Sequence, residues 1–213
     1  MIPSTTLEEG DRIFCVFLCT PEPCTKIHLQ IFYPNREEET VIHIRDAQEA
    51  DAAEIGRLIA DTYGTYNLDF VPPDEKGPFL GPFRHARSDD PAHRAAIARV
   101  IQAPMLLVAE NAAGEIVGVL RGSPGRLRSL FVRGDHHRQG IGRALLERFE
   151  GASARLGSET IRLASSLYAV PFYQRMGYKK STGVRAGWSF EGRGLRWQPM
   201  KKVLPPANRG EEW

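Results

Sequence analysis

The stretch Leu130-Phe131-Val132-Arg133-Gly134-Asp135-His136-His137-Arg138-Gln139-Gly140-Ile141-Gly142-Arg143-Ala144-Leu145-Leu146 decides how this chain is to be read. An apolar strand ends, a polar loop turns, and two glycines open an amphipathic helix. The first turn of a helix carries backbone N–H groups without acceptors and the positive end of the helix dipole. Glycines let an anion approach that backbone closely, so the junction is a phosphate cradle, with Arg138 and Arg143 placed as flanking forked donors. Two other phosphate motifs fall. A dinucleotide fingerprint needs a small residue three after the second glycine, where Leu145 stands, and a P-loop needs Gly-Lys-Ser/Thr, which is absent.

Outward from this junction, three apolar segments precede it, at 105–110, 115–121 and 127–132. The joints between them, 111–114 and 122–125, are short enough to make antiparallel neighbours. The helix over 141–156 carries Ile141, Leu145, Phe149, Ala152 and Leu156 on one stripe, and Gly157 is placed to end it. A strand over 160–164 then implies a parallel crossover. A short helix over 170–176 stops at Gly177, and strands over 179–189 and 195–203 follow. Upstream, a strand over 40–45 leads into a helix over 49–66, with Ile55, Leu58, Ile59, Thr62, Tyr63 and Tyr66 at helical spacing. The segment 69–88 holds so many prolines and glycines that it reads as irregular, a long binding loop shaping an acceptor pocket. A helix over 92–101 follows, with Asp89 or Asp90 as N-cap ahead of Pro91. The expected fold is α/β (α+β), a mixed central sheet flanked by helices.

The 213 residues suit one domain with an appendage. With 28 basic and 26 acidic residues, the net charge of +2 gives no electrostatic case for binding nucleic acid or a membrane surface. The apolar run at 13–19 is too short to span a bilayer, and the acidic residues before it do not make a signal peptide, so a cytoplasmic location is expected. Residues 1–39 read as a β-hairpin appendage turned by Pro21-Glu22-Pro23. Its apolar strands need cover from the domain or from a second subunit, so a homodimer is one expectation. Cys15, Cys19, Cys24 and His28 lack the tight cysteine knuckle of zinc sites, and free thiols without metal are the reading. The domain proper is expected over 40–204, with a tail over 205–213.

The chain resembles the GCN5-related N-acetyltransferases (GNAT). Their signature Gln/Arg-x-x-Gly-x-Gly/Ala at a strand–helix junction matches as His137-Arg138-Gln139-Gly140-Ile141-Gly142, with His137 in place of Gln or Arg. A second signature, an aromatic pair and a glycine, matches over Ala169-Val170-Pro171-Phe172-Tyr173-Gln174-Arg175-Met176-Gly177-Tyr178. The resemblance implies a GNAT-like fold, acetyl-CoA as co-substrate, and direct attack by the amine of a small molecule or peptide. It places the cofactor against Leu130, Phe131, Val132, His137, Arg138, Gln139, Gly140, Ile141, Gly142, Arg143, Ser166, Ala169 and Phe172. Ser166 stands where many members have an asparagine, and a hydroxyl supplies only part of that hydrogen bonding.

By the same resemblance Tyr173 is the general acid for the leaving thiolate, as a phenol of comparable basicity. No general base stands out. Leu127-Arg128-Ser129-Leu130 has no carboxylate, and Glu110, His85, Asp69 and Glu75 are candidates beside a water relay. The competing expectation is a non-catalytic acyl-CoA-binding sensor on the same fold. An NAD(P)-dependent oxidoreductase ranks below both.

Overall fold

The computed structural model describes residues 42–205. The hairpin expected over 1–39, its cysteines and the tail from 206 onward lie outside the described residues. Strand β1 (His43–Asp46) opens the described chain, followed by helix α1 (Ala52–Thr62). A one-turn helix α2 (Gly77–Leu80) and helix α3 (Pro91–Ile101) come next, and the Asp90 side chain accepts from Ala92 N–H at 2.8 Å to cap α3. Strands β2 (Met105–Glu110), β3 (Ile116–Ser123) and β4 (Arg126–Val132) then form an antiparallel meander. Helix α4 (Ile141–Arg155) crosses over to β5 (Thr160–Ser166), α5 (Val170–Arg175) follows, and β6 (Lys179–Lys180), β7 (Arg185–Ser189) and β8 (Gly192–Val203) end the domain. The sheet runs β1-β2-β3-β4-β5-β8-β6, with β7 also on β8, and β4–β5 is its parallel pair.

Each sheet face has its own core, because successive strand residues point to opposite sides. On one face Ile55, Leu58 and Ile59 of α1 and Ile97 and Ile101 of α3 pack on Val108 and Val119. On the other, Ile141, Leu145 and Phe149 of α4 pack with Leu107, Leu120 and Ile161, joined by Val170 and Tyr173 of α5. Two glycines of β3 bring α4 close. A Cβ at Gly118 would sit 2.9 Å from Leu145 Cδ1, and one at Gly122 would sit 2.6 Å from Phe149 Cε2 and 2.8 Å from the Arg126 carbonyl. The stripe Ile141, Leu145, Phe149 thus runs along a glycine track, which fixes where the α4 N-terminus lies.

Two expectations are corrected. The segment 69–88 is not irregular: it holds short helical turns at Pro73–Glu75, Gly77–Leu80 and Gly81–His85, each with proline in its first two positions. There the missing proline N–H costs nothing and its fixed φ suits the turn. The helix expected over 49–66 is found as one unbroken helical run, with a tight turn at Glu49–Asp51, then α1, then a wider five-residue π-turn at Tyr63–Asn67 closed by Leu68 N–H to the Tyr63 carbonyl at 3.1 Å. The strand expected over 179–189 is two strands, β6 and β7, both paired to β8. Among the described residues no helix is long and apolar enough to cross a membrane.

If the glycine track sets the helix–sheet distance, Gly122→Ala should destabilise by about 1–3 kcal/mol. Gly118→Ala should cost less, since its nearest neighbour is the tip of a leucine that can turn aside. Chemical denaturation of both variants reads this order, and Gly118→Ala as the costlier change would contradict it.

Candidate active site

The parallel strands β4 and β5 are joined at one register position, Arg126 opposite Arg162, with Arg162 N–H donating to the Gly125 carbonyl at 2.9 Å. Beyond it they diverge. The opening is a cleft of about 970 Å³, walled by 127–132 from β4, 163–166 from β5, the α4 N-terminus, α5 and the π-turn after α1. That volume is at the upper end for small-ligand sites.

At the open end of the cleft the loop 133–140 delivers the α4 N-terminus. Gly140 is its N-cap at φ 82°, a left-handed conformation that suits glycine, and no side chain caps the helix. The first helix-type bond is Ala144 N–H to the Gly140 carbonyl at 3.0 Å, so the amides of Ile141, Gly142 and Arg143 precede the ladder. A Cβ at Gly142 would make only ordinary contacts, 3.5 Å to Phe172 Cζ and 3.6 Å to Val132 Cγ2. The fold itself therefore does not require glycine at 142, and a Cβ there would fill the cradle. The donor set fits a diphosphate.

His137 has a structural occupation. Its Nε2–H donates to the Val132 carbonyl at 2.8 Å, and its ring lies 4.8 Å from that of Tyr66, which also stacks on Tyr168 at 5.5 Å. The histidine thus ties the loop to the end of β4. Arg133 is held by Asp135 at 2.9 and 3.0 Å, and together with His136 keeps the Asp135 carboxyl well below the usual range.

Leu130, Phe131, Val132, His137, Arg138, Gly140, Ile141, Gly142, Arg143, Ser166, Ala169, Phe172 and Tyr173 all line the cleft. Gln139 does not: its side chain donates back to the Asp135 carbonyl at 3.3 Å. Arg143 lines the mouth while its Nε donates to Glu147 at 2.8 Å. Tyr173 is 6% exposed, with its ring edge-on to Phe172 at 5.1 Å and to Tyr178 at 5.6 Å. Burial pushes its phenol well above the ordinary value, so comparable basicity with a thiolate does not hold.

None of the four base candidates reaches the cleft. Glu110 is bound by Arg45, Nε to Oε1 2.9 Å, and His85 stacks on His93 at 4.0 Å. Asp69 and Glu75 are also outside the wall, which among the described residues contains no carboxylate. Sequence reasoning missed a polar link across the fold: Tyr63 Oη donates to Ser189 Oγ at 2.6 Å, and Ser189 Oγ donates to the Phe79 carbonyl at 2.9 Å. No local pattern announces a contact between residues so far apart in sequence. Phe83 and Phe190 line the same side, ring centroids 6.1 Å apart, so the 69–88 segment does contribute to the pocket.

The sequence model of the acetyltransferase (GNAT) domain matches residues 83–204, more than half of the chain. No curated protein sequence matches. Among solved structures, the chain is similar to a GCN5-related N-acetyltransferase from Rhodopseudomonas palustris, with 21% identity, TM-score 0.61, and 76% of this chain and 95% of that one covered. It is similar to a phosphinothricin acetyltransferase from Sinorhizobium meliloti in complex with AcCoA, with 19% identity, TM-score 0.55, and coverage of 81% and 93%. It is also similar to the PaiA N-acetyltransferase from Thermoplasma acidophilum in complex with coenzyme A, with 17% identity, TM-score 0.55, and coverage of 77% and 99%. At these identities the likeness is one of fold.

Burial of Tyr173 makes a prediction of its own. The folded state holds the phenolic proton more tightly than the unfolded chain, so this stability contribution is complete below about pH 10 and is lost as pH rises further. Ultraviolet difference titration of wild type against Tyr173→Phe should show no phenolate from Tyr173 up to about pH 11, a unit beyond an ordinary phenol. A difference band with its midpoint near ~10 would contradict the buried environment.

Proposed function

The chain belongs to the GNAT acetyltransferases, and from that premise we propose that it transfers the acetyl group of acetyl-CoA to a primary amine by direct attack. The observation that carries this reading is the junction of two features: the β4–β5 cleft opens directly onto the unpartnered amides of the α4 N-terminus. Amides 141–143 would hold the diphosphate, with Arg138 and Arg143 beside it, while Leu130–Val132, Ser166, Ala169 and Phe172 would wall the acyl arm. Bound acetyl-CoA supplies an acyl group activated as a thioester. An N–C bond forms, the C–S bond breaks, and the amine's proton passes to solvent.

Tyr173 lies in the cleft as a neutral phenol. It would donate a hydrogen bond to sulfur as negative charge grows there, without being titrated in the working pH range. With no carboxylate in the wall among the described residues, deprotonation of the acceptor falls to water and to the cationic field of the cleft, which disfavours an ammonium. A second reading, a non-catalytic acyl-CoA-binding sensor, draws on that same lack of a carboxylate. Thiol release with a panel of amines separates the two.

Coenzyme A at ~1 mM should raise the Tm by mass action, and Gly142→Val should abolish that rise while changing the Tm of the free protein little. Equal shifts in both proteins would remove the cradle from the account. Tyr173→Phe should lower kcat roughly ten- to a thousandfold, with coenzyme A affinity kept. Because the phenol stays neutral, the basic side of the pH–rate profile should not move; wild-type turnover in the variant would reduce Tyr173 to a packing residue.

A further inference from the structure

Six arginines and no carboxylate line the described cleft. Arg138 and Arg143 belong to the phosphate cradle at its open end. Arg121 and Arg128 stand at the other end, where β4 and β5 meet. From Arg128 to Val132 is four strand residues, or ~13 Å, so phosphates held at α4 are remote from this pair.

Their placement is built by the strand. In the β3–β4 ladder Arg121 faces Ser129 while the next β3 residue, Gly122, faces Leu127. Arg128 is therefore the extra residue of a β-bulge, with no partner across the ladder. A bulge re-aims the side chain it displaces and commonly does so beside an active site. Arg121 is fixed: its guanidinium donates to Ser129 Oγ at 3.0 Å and to the Val100 carbonyl of α3. Burial lowers its pKa, and the charge it feels next is that of Arg128. A half-buried guanidinium with a second one beside it, and no acid in the surrounding wall, is a site of uncompensated positive charge. Around it the wall is apolar and aromatic, with Tyr63 edge-on to Phe131 at 6.0 Å and Phe83 beside Phe190.

Resting on the transferase reading above, we infer that the acceptor is a small amine carrying its own carboxylate and an apolar body, with Arg128 as the specificity residue that binds the carboxylate and Arg121 as the fixed charge behind it. A forked guanidinium binds a carboxylate through two parallel bonds. An amine without an anion, such as a polyamine, meets only repulsion here. A carboxylate offsets that repulsion at one end of the molecule, while the positive field favours the neutral, attacking form of the amine at the other.

The test compares α-amino acids of apolar side chain with their carboxamides as acceptors, using the full chain and acetyl-CoA. The amide's amine is the less basic and hence more often neutral, so an unselective cleft would prefer the amide. The inference requires the acid to be preferred in kcat/KM by roughly ten- to a hundredfold, the value of charge-assisted hydrogen bonds. Arg128→Gln should erase the preference mainly through KM, and Arg128→Lys should restore part of it, while the coenzyme A-induced rise in Tm stays as in wild type. Amides used as well as acids, or a preference surviving Arg128→Gln, would overturn it. If neither kind of amine is turned over while coenzyme A still raises the Tm, the transferase reading fails instead. The anion site is then read alone, by adding the N-acetylated acids to protein saturated with coenzyme A. A further rise in Tm in wild type but not in Arg128→Gln supports the site, and no rise in wild type overturns it.

Discussion

The close approach of α4 to β3 is the contact on which the rest of the molecule depends. Side chains at Gly118 and Gly122 would occupy space filled by Leu145 and Phe149, so these two positions set how deeply the helix lies in the sheet. Ile141, Leu145 and Phe149 follow the track at four-residue spacing, and all are at most 2% exposed. With the helix seated, its first turn can only lie at the C-terminal end of β4. His137 closes the connection by bonding back to the last residue of that strand. The uncapped helix terminus is thereby held on rigid elements and not on a free loop, which favours preorganised binding of the proposed diphosphate.

The same sheet makes the cleft by a failure of pairing. After Arg126 and Arg162, β4 and β5 exchange no further ladder bonds, and their exposed edges become the two walls. Interior strands are normally paired throughout, so edges left open beside a helix terminus mark the place where the backbone is kept for a ligand. The bulge at Arg128 is a second departure from regular pairing, and it lies at the far end of the same wall. In the proposed reading, one strand would carry a phosphate end and a cationic acceptor end, with the acyl arm between them.

Much of this was legible because the cradle is local. Strand, loop and helix at 127–156 lie contiguous in sequence, and the glycines at 140 and 142 and the aromatic pair at 172–173, which the sequence singles out, all line the one cleft. The 69–88 segment was misread because proline breaks a helix only in its interior; Pro73, Pro78 and Pro82 each start a turn instead. The 179–189 stretch is not one strand because Ser181-Thr182-Gly183, a small polar run of the kind that marks a loop, falls at the break between Lys180 and Arg185, and each half pairs separately with β8. Arg121, Arg128 and the Tyr63–Ser189 bond were missed for a common reason. Each acquires its role from a partner on another element, and in the case of Arg128 from a one-residue register shift that no propensity encodes.

Hydrogen–deuterium exchange of the amides over 138–143, with and without coenzyme A, tests the central claim most directly. In the free protein these amides precede the helical ladder and should exchange quickly; with coenzyme A bound they should become the most strongly protected segment outside the core strands. Coenzyme A that binds while 138–143 exchanges unchanged, with protection arising elsewhere, would contradict the assignment of this helix terminus as the cofactor site.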